Sequence, residues 1–427
     1  MNRLINLNVL TDKKYRPIEG DFIIRVAVTA SVSDLAETLP LNICLLIDNS
    51  SSMLDGNKID KAKEAAIKLI ESLQTGDILS IITFSTAANI LADKMGISEE
   101  NKNSSYGIVN SITPGGVTRM DIGLKQAIDT MNFQDSKLYM PVLLMLSDGG
   151  PTDNTGYLLP DEGIESIKEI ISEAYKKNGI TLSTVGLGDA SQCMANLLET
   201  FAETGGGIFY HSQTAQTLKD QFIEELNRVK STAISNVKFS ISDVHGSVRK
   251  SATICPDIRS LELPQKIDDF VEIEAGSLQK GENHVFLFEI ITPSFTGAKK
   301  KLLCSIKMIY NTENKTYEIK GNEVIIEYTN DELLLNKNDN TEVDKYKSMY
   351  TAFIQSQKAV QNMRDGSDPK KTQALLKSAT KTTRRLGNSK QTKVLETLIS
   401  KIDSNNVTEN DLTATSVASR KTKILKL

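Results

Sequence analysis

Residues 41–52 read LNICLLIDNSSS, and the fold is decided in this stretch. Leu41–Ile47 is an apolar run broken only by Asn42, too short for a helix and of the right length for a strand covered on both faces. Asp48 and the polar residues behind it end that strand. Three more segments have the same form: ILSIITF (Ile78–Phe84), PVLLMLS (Pro141–Ser147) and ITLSTVGL (Ile180–Leu187). Between them, Ile59, Ala62, Ala66, Leu69, Ile70 and Leu73 form one helical stripe, and Met120–Met131 and Ile164–Tyr175 repeat it more briefly. Strand and helix in alternation predict a doubly wound, Rossmann-like α/β domain over residues 37–230. Ligands of such sheets bind outside the carboxyl ends of the strands. The loops after Ile47, around Gly115–Thr118 and after Ser147 are therefore the ones to read for chemistry.

From Ser231 to Thr329 the helical stripe disappears. Segments such as AISNVKFSISDV, NHVFLFEII and KLLCSIKMIY alternate between turn residues, which predicts a β-sandwich over residues 231–330. Asp21–Val32 (DFIIRVAVTASV) alternates in the same way, so residues 1–36 are expected to lend a strand to the sandwich and leave the α/β domain as an insertion. After a polar break at Asn336–Asn340, Val343, Tyr346, Tyr350, Phe353, Val360 and Met363 return at helical spacing. A second helix opens at Asp368-Pro369 and stops near Gly387, and a third runs from about Ser389 to Ile402, giving a C-terminal helical bundle over residues 341–403. Residues 404–427 are Ser/Thr-rich and then basic. They carry too little apolar surface to offset their ordering entropy and are expected to be disordered.

Bulk properties set further bounds. At 427 residues the chain exceeds the roughly 250–300 at which a single core stops growing. No run of about 18 apolar residues offers a membrane span. The start, MNRLINLNVLTDKKYRPIEGD, has no apolar signal-like segment, so a cytoplasmic location is expected. Cys44, Cys193, Cys255 and Cys304 form no CxxC pair and are expected to be buried free thiols. Charge is unevenly divided: residues 341–427 hold 17 Lys and Arg against 8 Asp and Glu, whereas the whole chain is at −4.

Asp48-Asn49-Ser50-Ser51-Ser52 is a D-x-S-x-S spacing at a strand end. Carboxylates and hydroxyls are hard oxygen ligands, and Mg²⁺ takes one or two carboxylates with neutral oxygens and waters. Alone the string is a common turn and cap composition. Pro114-Gly115-Gly116-Val117-Thr118 adds a hydroxyl on a Gly-rich turn, and Ser147-Asp148-Gly149 adds a second carboxylate past another strand. In these three loops the sequence resembles the von Willebrand factor A family, whose metal-ion-dependent adhesion site joins D-x-S-x-S, a Thr in a GG loop and an Asp in a T/S-D-G turn. Asp48, Ser50, Ser52, Thr118 and Asp148 match its members one by one. The resemblance spans roughly Leu41–Lys230 and includes TVGLGD (Thr184–Asp189), Thr204-Gly205-Gly206 and Ile208–His211, which look like the last third of bacterial members. It implies a bound Mg²⁺, or Mn²⁺ or Ca²⁺, with one coordination position left for an acidic residue of a protein partner.

A binding adaptor, not an enzyme, follows from this reading. No His, Lys or Cys occurs in Asp48–Ser52, Gly115–Thr118 or Ser147–Gly149 to serve as base or nucleophile. A metal-dependent hydrolase, or a substrate-recruiting subunit of an AAA+ ATPase, is the competing reading. Gly205-Gly206-Gly207 lacks a following Lys-Ser/Thr and reads as a turn, not a phosphate loop. The basic residues from Lys370 to Lys393 have no interleaved aromatics, so nucleic-acid binding is not expected. Thr422, inside Arg420-Lys421-Thr422-Lys423, is a candidate phosphorylation site on the expected flexible tail. Bacterial members of the family resemble partners of Ser/Thr kinases, PP2C-type phosphatases and forkhead-associated proteins, which points to a signalling, stress or defence system.

Overall fold

The computed structural model describes residues 5–33, 39–134, 136–189, 194–212, 229–263, 270–297, 299–312, 315–337, 340–366 and 369–422. The chain forms two compact units, Met1–Ala36 with Ala233–Leu427, and Glu37–Thr232. The first begins with β1 (Ile5–Thr11), β2 (Tyr15–Arg16) and β3 (Phe22–Val32).

The chain then builds the α/β unit: β4 (Leu41–Asp48), α1 (Lys58–Ser72), β5 (Ile78–Phe84), β6 (Ala88–Gly96), α2 (Glu99–Asn110), α3 (Met120–Met131), β7 (Met140–Ser147), α4 (Asp161–Asn178), β8 (Thr181–Leu187), α5 (Ala195–Thr204) and β9 (Gly206–Ser212). Its sheet has the order β6-β5-β4-β7-β8-β9. Only β5 with β6 is antiparallel; the other pairs are parallel. All eight residues of β4 are buried, as helices covering both faces require. α1 supplies Ile59, Ala62, Ala66, Leu69 and Ile70 to a core shared with Leu41, Ile43, Leu45 and Ile47. β6 went unread in the sequence because Ala92 is its only buried residue. Since β4 lies between β5 and β7, its carboxyl end is a point where the winding reverses, and the loops after β4 and β7 open side by side there.

The chain returns to the first unit with β10 (Thr232–Ser242), β11 (Ser247–Cys255), β12 (Arg259–Leu261), β13 (Phe270–Gln279), β14 (Asn283–Thr292), β15 (Lys300–Thr312), β16 (Lys315–Lys320) and β17 (Val324–Tyr328). One sheet has the order β1-β3-β14-β11-β12 and the other β13-β10-β15-β17-β2, with β16 on β15. β3 pairs antiparallel with β14 along its whole length, from Phe22↔Thr292 to Ser31↔Asn283. The two sheets share one core, in which Phe239 of β10 meets the ring edges of Phe286 and Phe288 of β14 at centroid distances of 4.7 and 5.6 Å.

After a single helical turn at Glu332–Leu335, four longer helices follow among the described residues: α6 (Thr341–Arg364), α7 (Pro369–Arg385), α8 (Ser389–Asp403) and α9 (Glu409–Arg420). The expected cap at Asp368 lies outside the described residues. Val343, Tyr346, Tyr350 and Phe353 of α6 pack on Ala27, Ala252, Val285 and Leu287, so the first sheet is buried on both faces. Ala359 and Val360 join Leu376, Leu395, Leu398 and Leu412 in a core made by helices alone. No helix among the described residues is long and apolar enough to cross a membrane.

The expectation of a disordered tail is corrected here. Through Thr422 the tail is ordered, and α9 buries Leu412, Thr413, Thr415, Ser416 and Ser419. Composition misled because a buried hydroxyl need not stay unpaired in a helix. Thr415 Oγ1 donates to Asp411 O at 2.8 Å, Ser419 Oγ to Ser416 O at 2.7 Å, and Ser416 Oγ reaches Gln357 Oε1 at 3.0 Å. Thr408 starts the helix with a capping box to Asp411, a signal already present in the sequence as T-x-x-D. Thr422 is also corrected as an accessible residue. It is half-buried, and its hydroxyl lies 2.8 Å from Ile254 O and 2.7 Å from Pro256 O, so the proton a kinase would replace is already engaged. Residues 423–427 lie outside the described part. Replacing Thr408 with Ala should lower the unfolding free energy by about 1 kcal/mol. Urea titration reads this, and an unchanged midpoint would show that the box contributes nothing.

Candidate functional site

The parallel register of β4 and β7 sets Ile47 beside Leu146, and so Asp48 beside Ser147 at the two strand ends. Asp48 is fully buried. Its Oδ1 accepts the backbone N–H of Ser50 at 2.8 Å and its Oδ2 accepts the Ser147 hydroxyl at 2.7 Å. Ser50 Oγ lies 3.1 Å from Ser52 Oγ, and Ser52 Oγ donates to Asp148 Oδ1 at 2.8 Å. Asp48, Ser147, Ser50, Ser52 and Asp148 thus form one hydrogen-bonded cluster, with the Ser50 backbone N–H linking it to Asp48. Ser52 is its exposed member, while Asp148 is only 2% exposed.

The Thr118 loop reaches the site through the backbone of Gly115 and Gly116. Gly115 N donates to Asn49 O at 2.7 Å and Gly116 O accepts Ser51 N at 3.0 Å, so the Thr118 loop is laid along the D-x-S-x-S loop. Gly116 has φ +87°, and a Cβ there would fall 2.3 Å from Thr86 Oγ1, so this close approach requires glycine. The Thr118 N–H is held by Thr152 Oγ1 at 2.9 Å, which fixes the buried Thr118 in turn. Asp153 is outside this cluster: its Oδ1 takes the N–H and hydroxyl of Thr155 and the N–H of Tyr157. Asp55 is exposed.

Three contributors were missed in the sequence. Ser147 and Thr152 hold the site residues from behind. Lys58, the first residue of α1, places Nζ 2.7 Å from Asp148 Oδ2 while only 8% exposed itself. It follows the first loop closely, but its partner Asp148 is 90 positions away, and no local motif joins the two. The only available signal was that a Lys at the buried start of a helix needs a carboxylate.

The donors suit a hard divalent cation. They comprise two carboxylates and the hydroxyls of Ser50, Ser52 and Thr118, with neither thiolate nor imidazole among them. Asn49 Oδ1, in the same loop, is a buried oxygen that accepts no hydrogen bond among the described residues. Asp148 has Lys58 as counter-ion, whereas no described ion pair includes Asp48. Burial accordingly pushes the Asp48 carboxyl up to about 6, against the lowering effect of its Ser50 and Ser147 hydrogen bonds.

Residues 42–225 match the family model described as the von Willebrand factor type A domain. The chain carries a domain of this family. An uncharacterized protein of Synechocystis is 25% identical over 272 residues, 62% of this chain, and the chain spans 61% of that relative's length. Two solved structures share the fold of nearly the whole chain. A von Willebrand factor type A protein from Catenulispora acidiphila has a TM-score of 0.77 at 16% identity and covers 98% of this chain and 97% of its own. The ArnB paralog VWA2 from Sulfolobus acidocaldarius has a TM-score of 0.63 at 17% identity and covers 98% of both chains.

The raised Asp48 group has a signed consequence for the metal-free protein. A carboxyl raised on folding favours the folded state below its unfolded value near 4, and that contribution disappears as pH rises through about 6. The loss amounts to about 3 kcal/mol. Asp48→Asn removes the ionisation, and Ser147 can turn its hydroxyl to accept from the new amide. In EDTA, the variant should therefore exceed the wild type in stability at pH 7.5 by on the order of 1–3 kcal/mol, with the gain fading toward pH 4. A variant less stable than wild type at pH 7.5 would contradict this.

Proposed function

We propose that the chain is a non-enzymatic adaptor. Its von Willebrand factor type A domain binds a protein partner through a divalent ion held by Asp48, Ser50, Ser52, Thr118 and Asp148. Mg²⁺ is the first choice, with Mn²⁺ and Ca²⁺ as substitutes. The observation that carries this reading is the fully buried Asp48, without a counter-ion among the described ion pairs, in a cluster of hard oxygen donors whose exposed member is Ser52. Such an ion, when bound, supplies positive charge at the surface that a partner's carboxylate caps. Asp48 and Asp148 supply the anionic ligands, the three hydroxyls supply neutral ones, and the strand ends hold them in place.

The rim supports a protein partner. Leu54 is 62% exposed, Tyr157 75% and Leu158 61%, in the loops that follow β4 and β7. Leu158 is bridged to Thr152, the residue that holds Thr118, so this apolar surface is continuous with the site. Large side chains left in water beside a polar centre are the usual composition of an interface. His211, the histidine of this unit, donates its Nε2–H to Gly188 O at 2.9 Å, so that nitrogen is engaged. We read the two sheets of the other unit as a β-sandwich with α6–α9 as a helical bundle upon it, adding contact surface. A cytoplasmic setting suits the buried free thiols of Cys44, Cys255 and Cys304.

Affinity capture from the source cells tests the reading. The same partner should be retained by wild type in Mg²⁺ and lost in EDTA or with Asp148→Ala. Tyr157→Ala with Leu54→Ser should weaken capture about tenfold or more while leaving Mn²⁺ affinity unchanged. Capture that ignores EDTA and Asp148→Ala alike would refute it.

A further inference from the structure

Resting on the metal reading just given, we propose that Lys58 sets the charge of the site, making the ion-loaded face net positive and so selective for an anionic ligand. The two oxygens of Asp148 are divided between two neighbours. Oδ1 faces the Ser52 hydroxyl at 2.8 Å, on the side of the D-x-S-x-S loop, and Oδ2 is taken by Lys58 Nζ at 2.7 Å. One oxygen of Asp148 is thereby turned toward the hydroxyls and the other is spent on an ammonium.

Lys58 is built into this position. It opens α1, its side chain is buried against Gly188, and a Cβ at Gly188 would stand 3.0 Å from Lys58 Cε. Gly188 has φ +95°, a conformation that favours glycine, so the backbone of that turn is shaped to admit the lysine stem. Of the other charged groups, Arg119 is paired with Asp121 at 2.8 Å, and Asp55, Asp153 and Asp189 are at least partly exposed, where water screens them.

The charge count then decides the chemistry. Asp48 and Asp148 neutralise a divalent ion between them. Lys58 leaves one positive charge over, shielded from water on its inner side. That excess opposes the ion and attracts an anion, so its two effects have opposite signs. Without Lys58 the loaded site would be neutral overall and would draw a carboxylate less strongly. With it, a carboxylate arriving at the open position restores neutrality.

The test uses the full chain, Mn²⁺ and acetate. Mn²⁺ affinity is measured by calorimetry. Acetate binding is read from the loss of water-proton relaxation enhancement as the carboxylate displaces water from bound Mn²⁺. Lys58→Gln removes the charge but keeps a donor for Asp148 Oδ2, and should bind Mn²⁺ about tenfold more tightly and acetate about tenfold more weakly. Lys58→Met should shift both in the same directions, and Lys58→Arg should return both to within about threefold of wild type. A merely structural role would weaken both affinities together in Lys58→Gln, and that result overturns the proposal. Unchanged affinities in Lys58→Gln overturn it as well, while leaving the metal reading intact. A wild type that binds no Mn²⁺ overturns both.

Discussion

The site depends on one register. β4 and β7 run parallel with Ile47 opposite Leu146, so the first polar residue after each apolar run emerges at the same height. Asp48 and Ser147 then meet at hydrogen-bond distance, and Asp148 turns toward Ser52. A shift of one residue in β4 would send Asp48 to the opposite face of the sheet, and the same shift in β7 would do so to Ser147. The apolar side chains of β4, buried on both sides, hold the register against such a shift, so the core of the α/β unit also positions the chemistry.

That geometry places a carboxylate where water cannot solvate it. Asp48 has two good hydrogen-bond donors and no counter-ion among the described ion pairs, and burial outweighs the donors. A structure keeps such a group where the charge is used. The neighbouring Asp148 is treated differently, with an ammonium behind it and a hydroxyl in front. Two acids of the same type thus have unequal environments, as the proposed cation centre with an anionic partner would require.

Much of this was legible in the sequence, for identifiable reasons. Fully covered strands leave long apolar runs, so β4, β5, β7 and β8 could be named at once, with the D-x-S-x-S and S-D-G loops at the ends of β4 and β7 and the GG-Thr loop just before α3. What escaped had weak periodicity or none. β6 is an edge strand with a single buried side chain. α9 buries Thr and Ser whose hydroxyls bond within the helix or to Gln357, so counting apolar residues could not find it. Lys58 belongs to the site only because α1 begins there, and no local motif encodes a contact with a residue 90 positions away.

The central claim is that an ion sits among Asp48, Ser50, Ser52, Thr118 and Asp148. Anomalous scattering from crystals of the full chain soaked in Mn²⁺ tests it most directly. The account predicts one strong peak within about 2–2.5 Å of oxygen atoms from the Asp48 and Asp148 loops, and none at that place in Asp48→Asn crystals. A wild-type map with no peak there, at a Mn²⁺ concentration that occupies other sites on the protein, would contradict it.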